Sequence, residues 1–382
     1  MIQRFFHPIG QGAFYSERHT SCNINIVYDC GTTNPRSRAK QRIVNQSFRK
    51  DEIIHILFIS HFDKDHISLI DTLKKTVQRI ERVVIPLLHN EEKIFLSSIY
   101  RALGENRLAN LVSNPNEFFG GETQIIEVQP SSQERIVERE SVNVSEKHET
   151  VQKVSSGTPI TLNDLINWAF IPFNHKYEER NKEFIDKLQE KDVDICKLKT
   201  DPKYILNTEV KKTIKDIYKD ISGNINDNSM FLYSGPFSLE NSNRHYWRGG
   251  WWRGNIFCWH FDYYNHPCHS HRVACVYTGD GDLNQVDVKT IYSTYWDLIG
   301  TIQIPHHGSS ASFNAYALNS GRFLCPISVG NKNSYGHPSQ KVISEILLKR
   351  SYPILVTESV DSTFVEMIEY LTIGSPNNNE RK

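Results

Sequence analysis

Apolar positions in this chain gather in short bursts more often than in long helical stripes, and the bursts read as strands. Residues 3–32 read as a β-hairpin: Phe5 to Ile9, the turn-rich Gly10-Gln11-Gly12, Ala13 to Ser16, then Asn23 to Tyr28 running into Asp29-Cys30-Gly31-Thr32. A second burst, Ile53, Ile54, Ile56, Leu57, Phe58 and Ile59, predicts a buried strand that ends in a polar loop. Directly after it the period lengthens: Ile67, Leu69, Ile70 and Leu73 fall at helical spacing. Arg82 to Pro86 reads as a strand and Lys93 to Leu103 as a helix, which gives the alternation of an α/β layered fold. Further strands are expected at Trp168 to Phe173, Met230 to Tyr233, Val273 to Tyr277, Ile302 to Ile304 and Leu324 to Val329, with a last helix over Val342 to Leu348.

Two stretches break this rhythm. Gln129 to Pro159 is rich in Ser, Glu and Val and reads as a polar excursion or mobile loop. Tyr177 to Asp220 is dense in Lys, Glu and Asp, with Phe184, Ile185 and Leu188 at helical spacing. That pattern fits an inserted lid or partner-binding subdomain, and equally a solvated helical pair that only packs.

Composition narrows the class. Of 382 residues 38 % are hydrophobic, enough for a real core, and Lys plus Arg balance Asp plus Glu at 44 each, so no overall field draws in long nucleic acids or an anionic membrane. The first eight residues hold no apolar signal core, and no run is long and apolar enough to span a bilayer. Seven scattered cysteines without a C-x-x-C pair point to reduced thiols. A soluble, cytoplasmic protein is expected.

Candidate chemistry sits where strands end. Ile59-Ser60-His61-Phe62-Asp63-Lys64-Asp65-His66 packs four metal-capable side chains into six residues. A single His or Asp in a loop is usually solvated or caps a turn, but four together at a strand end suit zinc, manganese or iron, and alternate side chains can face two ions. A second strand ends in Thr278-Gly279-Asp280, and a third in Pro305-His306-His307-Gly308-Ser309. Adjacent histidines point different ways, so one joins an ion while the other meets substrate or acts as an acid. His175 is a weaker candidate ligand and His89 reads as a loop histidine. In residues 237–275 four Trp are interleaved with Arg and His, fitting either base stacking or a local apolar core. Cys258, His260, Cys268 and His271 there match no standard zinc spacing.

The string H-x-D-x-D-H at a strand end resembles the signature of the metallo-β-lactamase superfamily in the form with Asp in place of the second His. Pro8-Ile9-Gly10-Gln11-Gly12-Ala13, Asp29-Cys30-Gly31-Thr32, Asn228-Ser229 before a strand, Pro-His-His-Gly-Ser at 305–309 and Gly330 to Ser339 with His337-Pro338 are similar to the branch that includes the hydrolase domain of bacterial DNA-uptake competence proteins. Ser68-Leu69 stands where relatives carry Gly-Gly. The resemblance implies an α/β fold, a metallo-β-lactamase-like αββα sandwich: a first half over 1–128, a second half over 271–382, and between them, over 129–270, the polar loop, helical insertion and Trp/His-rich loops interleaved with sheet strands.

It also implies two divalent ions, zinc or else manganese. His61 and Asp63 would hold one, Asp65 and His66 the other, with Asp280 bridging and His306 closing the second, although the order of His306 and His307 is left open by the residues themselves. Asp29 would orient a ligand from behind, Asp65 would orient the attacking water, and His307 or His337 would protonate the leaving oxygen. No third ligand for the first ion stands out. The function implied is a metal-dependent hydrolase, foremost a phosphodiesterase or nuclease acting on nucleic acid or a nucleotide. The alternatives are a hydrolase of another ester, amide or lactone, and a metal-containing interaction subunit of a multi-protein system, such as defence, that binds a protein partner through 177–220.

Overall fold

The computed structural model describes residues 1–132, 140–145, 150–165, 167–175, 186–200, 204, 207–220, 229–237, 245–258, 269–270, 272–319 and 321–371. Its strands in chain order are β1 (Ile2–Phe6), β2 (Phe14–His19), β3 (Ile24–Cys30), β4 (Ile53–Ile54), β5 (Ile56–Phe58), β6 (Arg79–Ile80), β7 (Arg82–Pro86), β8 (Gln124–Gln129), β9 (Val142–Asn143), β10 (Val151–Ser155) and β11 (Ile160–Thr161). There follow β12 (Trp168–Asn174), β13 (Met230–Pro236), β14 (His245–Trp252), β15 (Asn255–Cys258), β16 (His269–Ser270), β17 (Ala274–Tyr277), β18 (Ile299–Ile302), β19 (Leu324–Ser328), β20 (Tyr352–Val356) and β21 (Phe364–Leu371).

These make a mixed α/β protein with two large sheets. One has the order β10-β8-β7-β5-β3-β2-β1-β21-β14-β15 with β16 beside β14, the other β20-β19-β18-β17-β13-β12-β11-β9. One apolar cluster draws on both sheets, with Phe6, Tyr15, Tyr28 and Phe58 from the first and Phe170, Leu232 and Tyr277 from the second. A second cluster joins the other side of the first sheet to the helices Ile70–Thr76, Asn90–Ala102 and Asn106–Ser113. A third joins the far side of the second sheet to the helices Val288–Ile291 and Gln340–Leu348. The layers therefore run helices, sheet, sheet, helices. Central strands such as β3 are buried along their whole length, Asn25 and Asp29 included. No helix among the described residues is long and apolar enough to cross a membrane.

The inter-sheet layer also holds charge. Arg4 donates to Glu17 (2.8 Å) and to Glu366, Arg248 donates to Glu366 and to Thr301 Oγ1 (2.6 Å), and Tyr277 and Ser234 donate to the two Glu17 oxygens at 2.9 and 2.8 Å. Arg4, Glu17, Arg248 and Glu366 are all buried.

Several expected elements shift. The run 53–59 is cut at His55 into β4 and β5, which join different sheets. The polar excursion at 129–159 is partly ordered, because β10 pairs in parallel with β8 and extends the first sheet. The segment 245–258 contributes β14, which pairs with β21, so its backbone is part of the first sheet rather than a separate loop. The side chains of Cys258, His260, Cys268 and His271 lie outside the described residues, as do Phe184 and Ile185. In the charged insertion, helices Ile195–Thr200 and Thr208–Asp220 pack Leu198, Ile214 and Ile217 with Leu188 against Ile99 and Ala102 of the helix Asn90–Ala102.

Candidate metal centre

The ends of β3, β5, β17, β18 and β19 deliver the candidate residues to one place. After β5 the chain turns through Ser60-His61-Phe62 and enters a one-turn helix, Lys64–Ile67, which carries Asp65 and the buried His66. Two glycines let backbone approach this loop. Gly12 has φ +147° and a Cβ there would meet the Gly31 carbonyl at 2.4 Å and the Asp65 carbonyl at 3.0 Å; next to it, Ala13 N donates to Asp65 O at 3.1 Å. Gly279, at φ +56°, would press a Cβ onto Ser60 at 2.8 Å. The Gly10-Gln11-Gly12 and Thr278-Gly279-Asp280 turns are thus required by contact with the loop, beyond simple chain reversal.

Asp29 sits in the left-handed region at φ 55° with no exposure. Its Oδ1 accepts from Ser60 N (2.7 Å), and its Oδ2 accepts from Ser60 Oγ (2.6 Å) and from His66 Nδ1 (2.8 Å). Burial pushes its pKa up, with His66 and these hydrogen bonds opposing. Its carboxylate assigns the His66 proton to Nδ1, which leaves the Nε2 lone pair facing inward. There Nε2 lies 3.1 Å from Asp280 Oδ1 yet is a buried atom with no hydrogen bond.

His307 repeats the arrangement. Its Nδ1 donates to the Ser328 carbonyl at 2.9 Å, so the Nε2 lone pair faces Asp65 Oδ2 at 3.1 Å. Two imidazole lone pairs set against two carboxylates repel unless a positive charge lies between. In the protein alone that charge is a proton. Burial opposes protonation of His66, but Asp280 and Asp29 outweigh it and raise its pKa well above the ordinary value; His307 rises for the same reason through Asp65 and Asp280. Asp280 is held well below the usual carboxylate range, burial being overcome by His66 and His306, and Asp65 is lowered chiefly by His307, again against burial.

Ligand atoms of Asp65, His66, Asp280 and His307 all lie within 4.8 Å of one another. Imidazole nitrogens and carboxylate oxygens gathered this way fit a divalent cation. His61 borders the group. Its Nδ1 is 2.9 Å from Ser60 Oγ and 3.1 Å from Ser229 Oγ, while its buried Nε2 has no hydrogen bond and stands 4.0 Å from both Asp63 Oδ2 and Asp280 Oδ2. Burial, then His66, pushes His61 down to about 3, so it stays a neutral donor.

The backbone separates the adjacent histidines, whose order the residues themselves left open. Both take left-handed backbone, φ 48° at His306 and 55° at His307, and this turns His307 into the carboxylate group while His306 Nδ1 turns to Ser312 Oγ at 3.1 Å. His306, expected to close the second ion, is not in the converging group, and His307, assigned to substrate or acid, is. His337 stands at the rim, its ring 5.8 Å from that of His306. Burial, then His306 and His307, lowers it to about 4. His175 forms a bridge with Ser131 beyond the end of β12 and is outside the converging group, and His89 caps the helix Asn90–Ala102.

Sequence reasoning missed Ser60, Ser229 and the Ser328 carbonyl, which orient the imidazoles. Ser60 and Ser229 stand within strings singled out for other reasons, which was the available signal for their role. No protein-family model, curated protein or solved structure matches this chain, so a functional assignment rests on the geometry above.

Proposed function

We propose that this chain is a metal-dependent phosphodiesterase on a metallo-β-lactamase-like αββα sandwich. One observation carries the reading: His66 Nε2 and His307 Nε2, each fixed as a lone-pair donor from behind, face Asp280 and Asp65 at 3.1 Å. Asp65, His66, Asp280 and His307 would hold one divalent ion, zinc or manganese, and His61, Asp63 and Asp280 offer donors to a second. Such ions, when bound, supply Lewis acidity toward a phosphoryl oxygen and a nucleophile at neutral pH.

The chain's own residues do the rest. Asp29 and the Ser328 carbonyl hold His66 and His307 in one tautomer and orientation, so no reorganisation is needed during reaction. His337 is neutral without substrate. An anionic phosphodiester against it raises its proton affinity, so the imidazole takes up a proton from solvent and, as imidazolium, passes it to the leaving oxygen as the P–O bond breaks. His306, held by Ser312 between His337 and His307, orients the substrate oxygens on that side.

Hydrolysis of bis(p-nitrophenyl) phosphate and of p-nitrophenyl acetate, with zinc or manganese, is the test. Wild type turns over the diester and Asp280→Ala does not, while both remain folded by circular dichroism. Turnover of the acetate alone would replace the phosphodiesterase by a carboxyl-ester hydrolase, and diester turnover retained by Asp280→Ala would remove this site from the reaction.

A further inference from the structure

A ladder of rings leads out of the metal centre. His307 stands edge-on to His306 (6.3 Å between centroids), His306 edge-on to His337 (5.8 Å), and His337 lies nearly parallel to Tyr335 (6.1 Å, 14° between planes). Tyr335 is 67 % exposed. Its loop is nevertheless tied down. Asn333 Nδ2 donates to the carbonyls of Gly330 and His337, both at 2.7 Å, and its Oδ1 accepts from His337 N at 3.0 Å. Gly330 N donates to Gln11 Oε1, Asn331 N to Glu358 Oε2 and Ser339 N to Gly308 O. Tyr316, also strongly exposed, has the Lys349 ammonium 5.7 Å from its ring centre, whereas Tyr335 stacks on a candidate proton donor.

An aromatic ring held in place with most of its surface in water is prepared to stack on something planar, at little cost in ordering. Its place suits the ligand: along the ladder two imidazoles, His337 and His306, separate it from His307 and the carboxylates, room for a phosphate and its sugar before the base reaches the tyrosine. Charge supports the same choice. With Lys plus Arg equal to Asp plus Glu at 44, no general positive field holds a phosphate chain, so affinity must come from local contacts.

Resting on the phosphodiesterase reading, we propose that Tyr335 is a stacking platform for the nucleobase next to the phosphate being hydrolysed, which makes the substrate a nucleotide ester or the end of a single strand, with little preference among bases.

Calorimetry on the zinc-loaded protein tests this with adenosine 5′-monophosphate, uridine 5′-monophosphate and ribose 5-phosphate, on wild type, Tyr335→Ala and Tyr335→Phe. The nucleotides are expected to bind roughly 5- to 150-fold more tightly than the sugar phosphate, the range for one base on one aromatic ring. Tyr335→Ala erases the difference, Tyr335→Phe keeps it, and ribose 5-phosphate binds all three alike. Equal affinity for nucleotide and sugar phosphate in wild type, or a preference that survives in Tyr335→Ala, overturns the proposal. Diester turnover separates the two readings: turnover without a preference for nucleotide over sugar phosphate removes the platform alone, and that preference without turnover removes the hydrolase and leaves the platform standing.

Discussion

Replacing Asp29 by Asn alters one atom of a buried side chain and should weaken metal binding without unfolding the protein. Asp29 accepts three hydrogen bonds, two from Ser60 and one from His66 Nδ1. An Asn oxygen can serve only one side. With its NH2 toward Ser60 N, two donors collide; with its NH2 toward His66, Nδ1 must become the acceptor and the proton moves to Nε2, the atom that faces Asp280 at 3.1 Å. Either way a charge-assisted hydrogen bond is lost, about 1.5–3 kcal/mol. Loss of such a supporting contact typically lowers metal affinity by about 10- to 100-fold. The metal-free protein suffers less, because the Asp29 carboxylate is disfavoured by its own burial. Competition with a chromophoric zinc chelator at pH 7.5, beside a thermal melt without metal, reads the two effects separately. A zinc affinity within about twofold of wild type in a folded Asp29→Asn protein would refute the argument that Asp29 sets the His66 lone pair.

Two further outcomes follow from the core. Glu366→Ala strands the buried Arg4 and Arg248 without their shared carboxylate; urea unfolding should show a loss of about 3–5 kcal/mol, and a loss below about 1 kcal/mol would mean water reaches the cluster. His7, buried against Phe14 with its Nε2 2.8 Å from Ser16 Oγ, is pushed down to about 3 by burial and then by Arg18. The unfolded chain takes up this proton near pH 6.5 and the folded chain refuses it until about 3, so stability is whole above pH 6.5 and falls as pH drops below it, at up to about 1.4 kcal/mol per unit. Metal-free His7→Phe, though weaker at pH 8 for want of the Ser16 bond, should decline less steeply between pH 6.5 and 4; parallel curves would count against a neutral buried His7.

What the sequence showed plainly was where strands end in chemistry. His61 to His66, Asp280 and the 306–307 pair each follow an apolar run, and each arrives at the common edge. Which of the adjacent histidines turns inward was not legible, because it depends on two successive left-handed residues, at φ 48° and 55°, that no hydrophobic pattern records. The inter-sheet ion cluster was hidden for a different reason. Arg4, Glu17, Arg248 and Glu366 sit on four separate strands, and only the pairing of those strands within the first sheet, with Arg4 opposite both Glu17 and Glu366, shows that they meet. The ordered β10 was hidden by the polar composition of its stretch, and β14 by Arg248 and the Gly249-Gly250 pair that interrupt its aromatic run.

The position of β21 bears on how the molecule is made. This strand pairs with β1 on one side and β14 on the other, so Phe364–Leu371 is interior to a sheet that Ile2–Phe6 belongs to. During synthesis Arg4 emerges early, while Glu366, its buried counter-charge, follows 362 residues later. Until then β1 is an open edge on an incomplete sheet, the condition in which nascent chains aggregate, and closure is a contact of very high order and correspondingly slow. Every proposed metal ligand, from His61 to His307, is translated before that strand. A chain cut short just before Phe364 would therefore carry the complete ligand set and lack the strand that closes the sheet behind it.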